Sequence, residues 1–66
     1  MKNRIRIERA IIDITQADLA EKIGVSRQTI NAMESNKYVP STVLALKIAQ
    51  LFSKKVEEIF ELNEND

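Results

Sequence analysis

An all-α domain of five short helices is what this sequence predicts, and three observations carry the prediction. Apolar residues recur three and four positions apart through nearly the whole chain, the spacing of one helical face. Hydroxyl residues suited to capping, Thr15, Ser26 and Ser41, each stand just before such a run. The single glycine, Gly24, and the single proline, Pro40, fall between runs rather than inside them. No repeat or low-complexity tract interrupts the pattern. Sixty-six residues make one domain, 1–66, with a core so small that association with a second copy is physically attractive.

The first helix is expected over 3–13. Ile5, Arg9 and Ile12 lie at i, i+4 and i+7 and are expected to face inward, Ile7, Ile11 and Ile14 broaden the apolar stripe, and Arg4 and Arg6 face out. The second helix, 16–23, opens on Thr15, with Asp18 three residues later as a short version of the capping-box glutamate. Leu19 and Ile23 share its buried face, and Gly24 stops it by taking the left-handed conformation a helix end needs. Ser26 caps the third helix, 27–35, from which Ile30 and Met33 point back toward Leu19 and Ala20. Small Ala20 permits a close crossing, and Arg27, Gln28, Asn31 and Ala32 are left on the outward face.

Ser35 to Tyr38 form a loop, in which Asn36 tolerates a left-handed backbone. Tyr38 is expected to pack there. Pro40 and Ser41 announce the fourth helix, 42–52, with Leu44, Ile48, Leu51 and Phe52 buried and Lys47 and Gln50 exposed. The fifth, 55–59, starts weakly because Lys55 is no cap, and Val56, Ile59 and Phe60 close the core. Phe52, Phe60 and Leu62 are more apolar surface than a small monomer needs at one end. The alternation Phe60-Glu61-Leu62 reads as a short strand paired with residues near Met1 to Asn3, and an acidic tail follows over 61–66.

Composition removes whole classes of function. With no cysteine there is no disulfide or thiolate metal site, and with no histidine the commonest general base and zinc ligand are gone. No enzyme, cofactor, metal or small-molecule ligand is expected. Ser26 and Thr29 are accounted for without a nucleophile. No apolar run approaches a membrane span and the basic N-terminus lacks the apolar stretch of a secretion signal, so the expected location is the cytoplasm. The formal charge is zero, but residues 1–56 hold all ten Lys and Arg against five acids, a balance of +5, while 57–66 carry the other five acids. A basic body with an acidic end keeps one surface positive if the tail points away from it. Such a tail is more often a solubilising end than a regulatory one.

The outward residues of the third helix suit the edges of DNA bases. Glutamine donates and accepts at once and matches N6 and N7 of adenine, while arginine forks onto O6 and N7 of guanine. Gln28 and Arg27 are therefore the expected base readers, with Asn31 and Ala32 adding a polar or methyl contact. Exposed polar residues alone are common on any solvated helix; the glycine turn, the small residue and the paired apolar positions distinguish this one.

The run from Thr15 to Lys37, with Tyr38-Val39-Pro40-Ser41 and the apolar helix after it, resembles the Cro and phage-repressor (XRE-like) helix-turn-helix family, the helix-turn-helix itself lying at 16–35. The motifs are Thr-Gln-x-x-Leu-Ala, Gly-Val-Ser-Arg-Gln-Thr-Ile, a Glu four after that Ile, then Asn-Lys and Pro-Ser, and the resemblance runs from about Asn3 to Phe60. It implies a lambda-repressor-like fold and a sequence-specific regulator binding double-stranded DNA, a repressor in the first reading, although the family contains activators too. It implies that Gln16 touches a phosphate and braces Gln28, and that Ser26, Thr29, Asn36 and Lys37 hold the sugar-phosphate backbone. Arg9 and Glu34 match a partly buried ion pair with a scaffolding role. Glu8 departs from the pattern, standing where relatives more often carry leucine. The C-terminal end commonly supplies the dimer contact, here Phe52, Val56, Phe60 and Leu62, and an inverted-repeat operator follows from a homodimer. The alternative is an antitoxin-like interaction module that holds a partner protein through that same end.

Overall fold

A computed structural model describes residues 1–66, and its elements run β1 (Lys2–Asn3), α1 (Ile5–Ile12), α2 (Gln16–Ile23), α3 (Arg27–Glu34), α4 (Thr42–Leu51), α5 (Val56–Ile59) and β2 (Phe60–Glu61). The architecture is all-α, five helices with the termini joined by a two-stranded antiparallel pairing in which Lys2 faces Glu61 and Asn3 faces Phe60. Strand entry decides where α1 begins. The Asn3 Oδ1 accepts the Ile5 N–H at 3.1 Å and the Arg4 N–H donates to the Ile59 carbonyl at 2.8 Å, so the helix starts two residues later than the periodicity suggests.

Each predicted cap has a visible cause. Thr15 and Asp18 exchange both capping-box bonds at 3.0 Å, and Ser41 accepts the Leu44 N–H at 3.2 Å. Lys55 offers no cap oxygen, but the Glu58 carboxylate accepts the Lys55 N–H at 3.0 Å, which is enough to start one turn. Gly24, Asn36 and Ser53 all take positive φ, closing α2, α3 and α4 respectively.

Leu19, Ile30, Met33, Ile48, Ile5 and Ile59 are fully buried, so the core lies where α2 crosses α3 and is roofed by α4, α5 and the start of α1. Ala20, 4% exposed, sits in the α2–α3 crossing.

Two expectations about inward-facing residues are corrected. Ile12 is 46% exposed, and Ile7 and Ile11 are exposed with it, whereas Glu8 is 3% exposed. The inward row of α1 is Ile5, Glu8 and Arg9, and Ile12 is the last residue of the helix, followed by Asp13 in the left-handed conformation. Glu8 occupies an inward seat as a carboxylate, 3.8 Å from Arg4 Nε and 4.0 Å from Lys54 Nζ. At the other end, Phe52 and Phe60 are buried in the chain's own core, as expected of the fourth and fifth helices, which leaves little of either side chain for the dimer contact also expected of them. Leu62 stays on the surface, and Val56 is half-buried.

Candidate nucleic-acid interface

Two short helices and the bend between them set the outward face. The Gly24 and Val25 N–H groups both donate to the Ala20 carbonyl, the backbone leaves the bend extended at Ser26, and α3 begins at Arg27. Ser26 Oγ accepts the Thr29 N–H at 3.1 Å and lies 2.9 Å from the Thr29 hydroxyl. Both hydroxyls are thereby held at the N-terminus of α3, where free N–H groups and the helix dipole favour an anion.

With Ile30 and Met33 buried, the 100° step of the helix turns Gln28 directly away from the core, flanked by Arg27 and Asn31 on one side and Ala32 on the other. Arg27, Gln28 and Asn31 are exposed, Ala32 is half-buried, and the ion pairs of the protein all lie elsewhere. Asn36 and Lys37 are exposed just past the helix end.

Beneath this face the Glu34 carboxylate, its side chain 1% exposed, ties three segments together. Arg9 grips it in fork geometry, Nε to Oε2 at 2.6 Å and Nη2 to Oε1 at 3.1 Å, and its Nη1 donates to the Ile14 carbonyl at 3.0 Å. Gln16 Nε2 donates to Glu34 Oε1 at 2.9 Å, so the amide expected to brace Gln28 is anchored to Glu34 instead, with one amide hydrogen left for another acceptor. Arg6 Nε stands 3.6 Å from the same oxygen.

Burial on its own would raise the Glu34 pKa, but the hydrogen bonds from Arg9 and Gln16, and the charges of Arg9 and Arg6, outweigh it and hold the carboxyl below its ordinary 4.5. A pKa depressed by folding stabilises the fold above the ordinary value, and that stabilisation disappears as pH falls through the lowered one. The stability difference between the protein and Glu34→Gln, followed by thermal melts, should therefore be constant near neutrality and shrink below about pH 4.5. A difference unchanged down to about pH 3 contradicts this.

Asn3 is a contributor that sequence reasoning missed. Its Nδ2 donates to the Met33 carbonyl at 2.7 Å and to Asn36 Oδ1 at 3.3 Å, fastening the N-terminal strand to the end of α3 and to the loop that presents Lys37. The available signal was an asparagine two residues before an apolar helix, a residue type that starts helices rather than continuing them.

A family model described as helix-turn-helix matches residues 5–59. The chain is 57% identical over 60 residues, 91% of either chain, to an uncharacterized HTH-type transcriptional regulator of Methanocaldococcus jannaschii. It is 47% identical over 66 residues, the whole of both chains, to an HTH-type transcriptional regulator of Bacillus subtilis. A similar protein of Archaeoglobus fulgidus is 46% identical over 66 residues, all of this chain and 93% of that one. No helix is long and apolar enough to cross a membrane.

Proposed function

The chain belongs to the helix-turn-helix family of DNA-binding transcriptional regulators, and from that premise we propose that it is a homodimeric repressor of an inverted-repeat operator. The observation that carries the reading is the outward face of α3, where an arginine and a glutamine stand exposed and unpaired beside a rigid, capped helix start. Arg27 and Gln28 read base edges, with Asn31 and Ala32 completing the stripe. Ser26, Thr29, Asn36, Lys37 and the free amide hydrogen of Gln16 hold phosphates and set the register. Such a protein works where its chromosome lies, in the cytoplasm.

Pairing is supported by a second, apolar surface. Leu62, Val39 and Leu46 are 73%, 61% and 55% exposed, and Val39, Leu46, Ala45 and Val56 line one open groove. Two copies joined there would offer two α3 helices to successive major grooves, about 34 Å apart. The same surface would serve the antitoxin-like alternative, in which a different protein occupies it.

Selection of duplexes from a random pool near physiological salt tests the proposal. It should enrich an inverted repeat with half-sites one helical turn apart, bound by a species sedimenting as a dimer. Equal retention of all sequences would reject base reading. Enrichment of an isolated half-site bound by a monomer would reject the dimer and leave the groove to another partner.

A further inference from the structure

We propose that Asn3 is a positioning residue for DNA binding: it turns the side-chain amide of Asn36 so that the NH2 end, and not the carbonyl, is offered to a phosphate of the duplex. This deepens the proposed function and rests on Asn36 being one of the residues that hold the sugar-phosphate backbone. A carboxamide has two unlike ends, an oxygen that only accepts and a nitrogen that only donates. For Asn3, backbone groups decide which end goes where. The Ile5 N–H can only donate, so it takes Oδ1 at 3.1 Å, and the Met33 carbonyl can only accept, so it takes Nδ2 at 2.7 Å. Pairing of Asn3 with Phe60 between the two strands holds the backbone that carries this amide.

The same Asn3 nitrogen carries a second hydrogen and lies 3.3 Å from the side chain of Asn36, where a donor can be answered only by the oxygen, Oδ1. With its oxygen engaged, Asn36 has its Nδ2 as the end without an internal partner, on an exposed residue just past α3. A phosphate oxygen accepts and never donates, so it is drawn to that end and repelled by the other. The backbone beneath is held as well. Asn36 has φ 61° and its N–H donates to the Met33 carbonyl at 3.1 Å, the oxygen that also receives Asn3, so strand, helix end and loop meet at one atom. Left to itself, an exposed asparagine would turn either end outward; Asn3 chooses the one a phosphate needs.

A double-mutant cycle between Asn3→Asp and Asn36→Gly, titrated with the selected operator and with a scrambled duplex, tests this. Glycine removes the Asn36 amide at a positive φ that it adopts without strain. Asn36→Gly should bind both duplexes about tenfold more weakly per contact, with base preference and salt slope unchanged, because a neutral donor to phosphate is lost and no cation is. Aspartate at position 3 keeps an acceptor for the Ile5 N–H but draws in the NH2 end of Asn36, so Asn3→Asp should cost about tenfold more when Asn36 is present than in the Asn36→Gly background. The effect of the added charge on DNA is common to both backgrounds and cancels. Asn3→Ser changes no charge and still suits a helix start; by freeing the Asn36 amide to turn, it should cost about threefold with Asn36 present and nothing in the Asn36→Gly background. Losses that simply multiply in the double variants overturn the proposal, since Asn3 then acts without Asn36. Full-strength binding by Asn36→Gly overturns it too. Either result leaves the regulator reading intact if the unaltered protein selects sequences. Absence of any sequence preference in the unaltered protein removes that reading, and this inference with it.

Discussion

Arg9→Ala should lower stability by about 3–5 kcal/mol, the range for breaking one side of a buried ion pair. At roughly 4–8 °C per kcal/mol for a domain this small, the melting temperature should fall by about 12 °C or more. The cause is the partner left behind. The Glu34 side chain is 1% exposed, and without the fork from Arg9 it would keep only the Gln16 amide at 2.9 Å and the more distant Arg6. Arg9 also donates to the Ile14 carbonyl, so the variant loosens the bend between α1 and α2 as well. Because much of the cost is a stranded charge, adding Glu34→Gln to Arg9→Ala should recover part of the loss, a non-additivity expected only of coupled residues. Thermal melts of the two single variants and the double variant decide the matter. An Arg9→Ala protein that melts normally but binds DNA weakly would make Arg9 a DNA contact and not a scaffold residue.

Gln28→Ala and Arg27→Ala should each cost about 1–3 kcal/mol of binding to the selected operator and relax the preference at one base pair, with melting temperature unchanged. Both side chains are exposed on α3 and outside every ion pair, so truncation removes no internal contact that the fold depends on. Lys37→Ala provides the contrast. A phosphate contact should weaken all sequences alike and reduce the salt slope by about one. Titrations of operator and scrambled duplex at several salt concentrations separate these behaviours. If Gln28→Ala loses affinity equally for both duplexes, the glutamine holds the backbone and the reading surface has been misassigned.

The elements legible in the sequence are those whose causes are local. Thr15, Ser26 and Ser41 cap the helices they precede, Gly24 ends α2, and Asn36 takes the left-handed conformation, because each effect involves residues within a few positions. The outward set Arg27, Gln28 and Asn31 was readable for the same reason: once Ile30 and Met33 are buried, helical geometry leaves those positions exposed. Misjudgements arose where one helical face had several apolar candidates. Along α1, isoleucine occupies so many positions that periodicity alone does not choose the buried row, and the row chosen by packing includes Glu8 in place of Ile12.

What the chain carries by itself is a helix-turn-helix and its chemistry: caps, a glycine bend, a small residue at the crossing, and an arginine and a glutamine facing out. Such features follow from short-range hydrogen bonding and the 3.6-residue period, so they survive without knowledge of what lies across the core. Only the tertiary structure decided that Glu8 turns inward beside Lys54, that Gln16 turns to Glu34, that Asn3 ties the N-terminus to the end of α3, and that Tyr38 and Leu44 meet Ala32 around a hollow. Each of these joins residues far apart in the chain. Which surfaces meet depends on how whole helices fill a shared volume at close packing, a competition among all of them that no single stretch of sequence records.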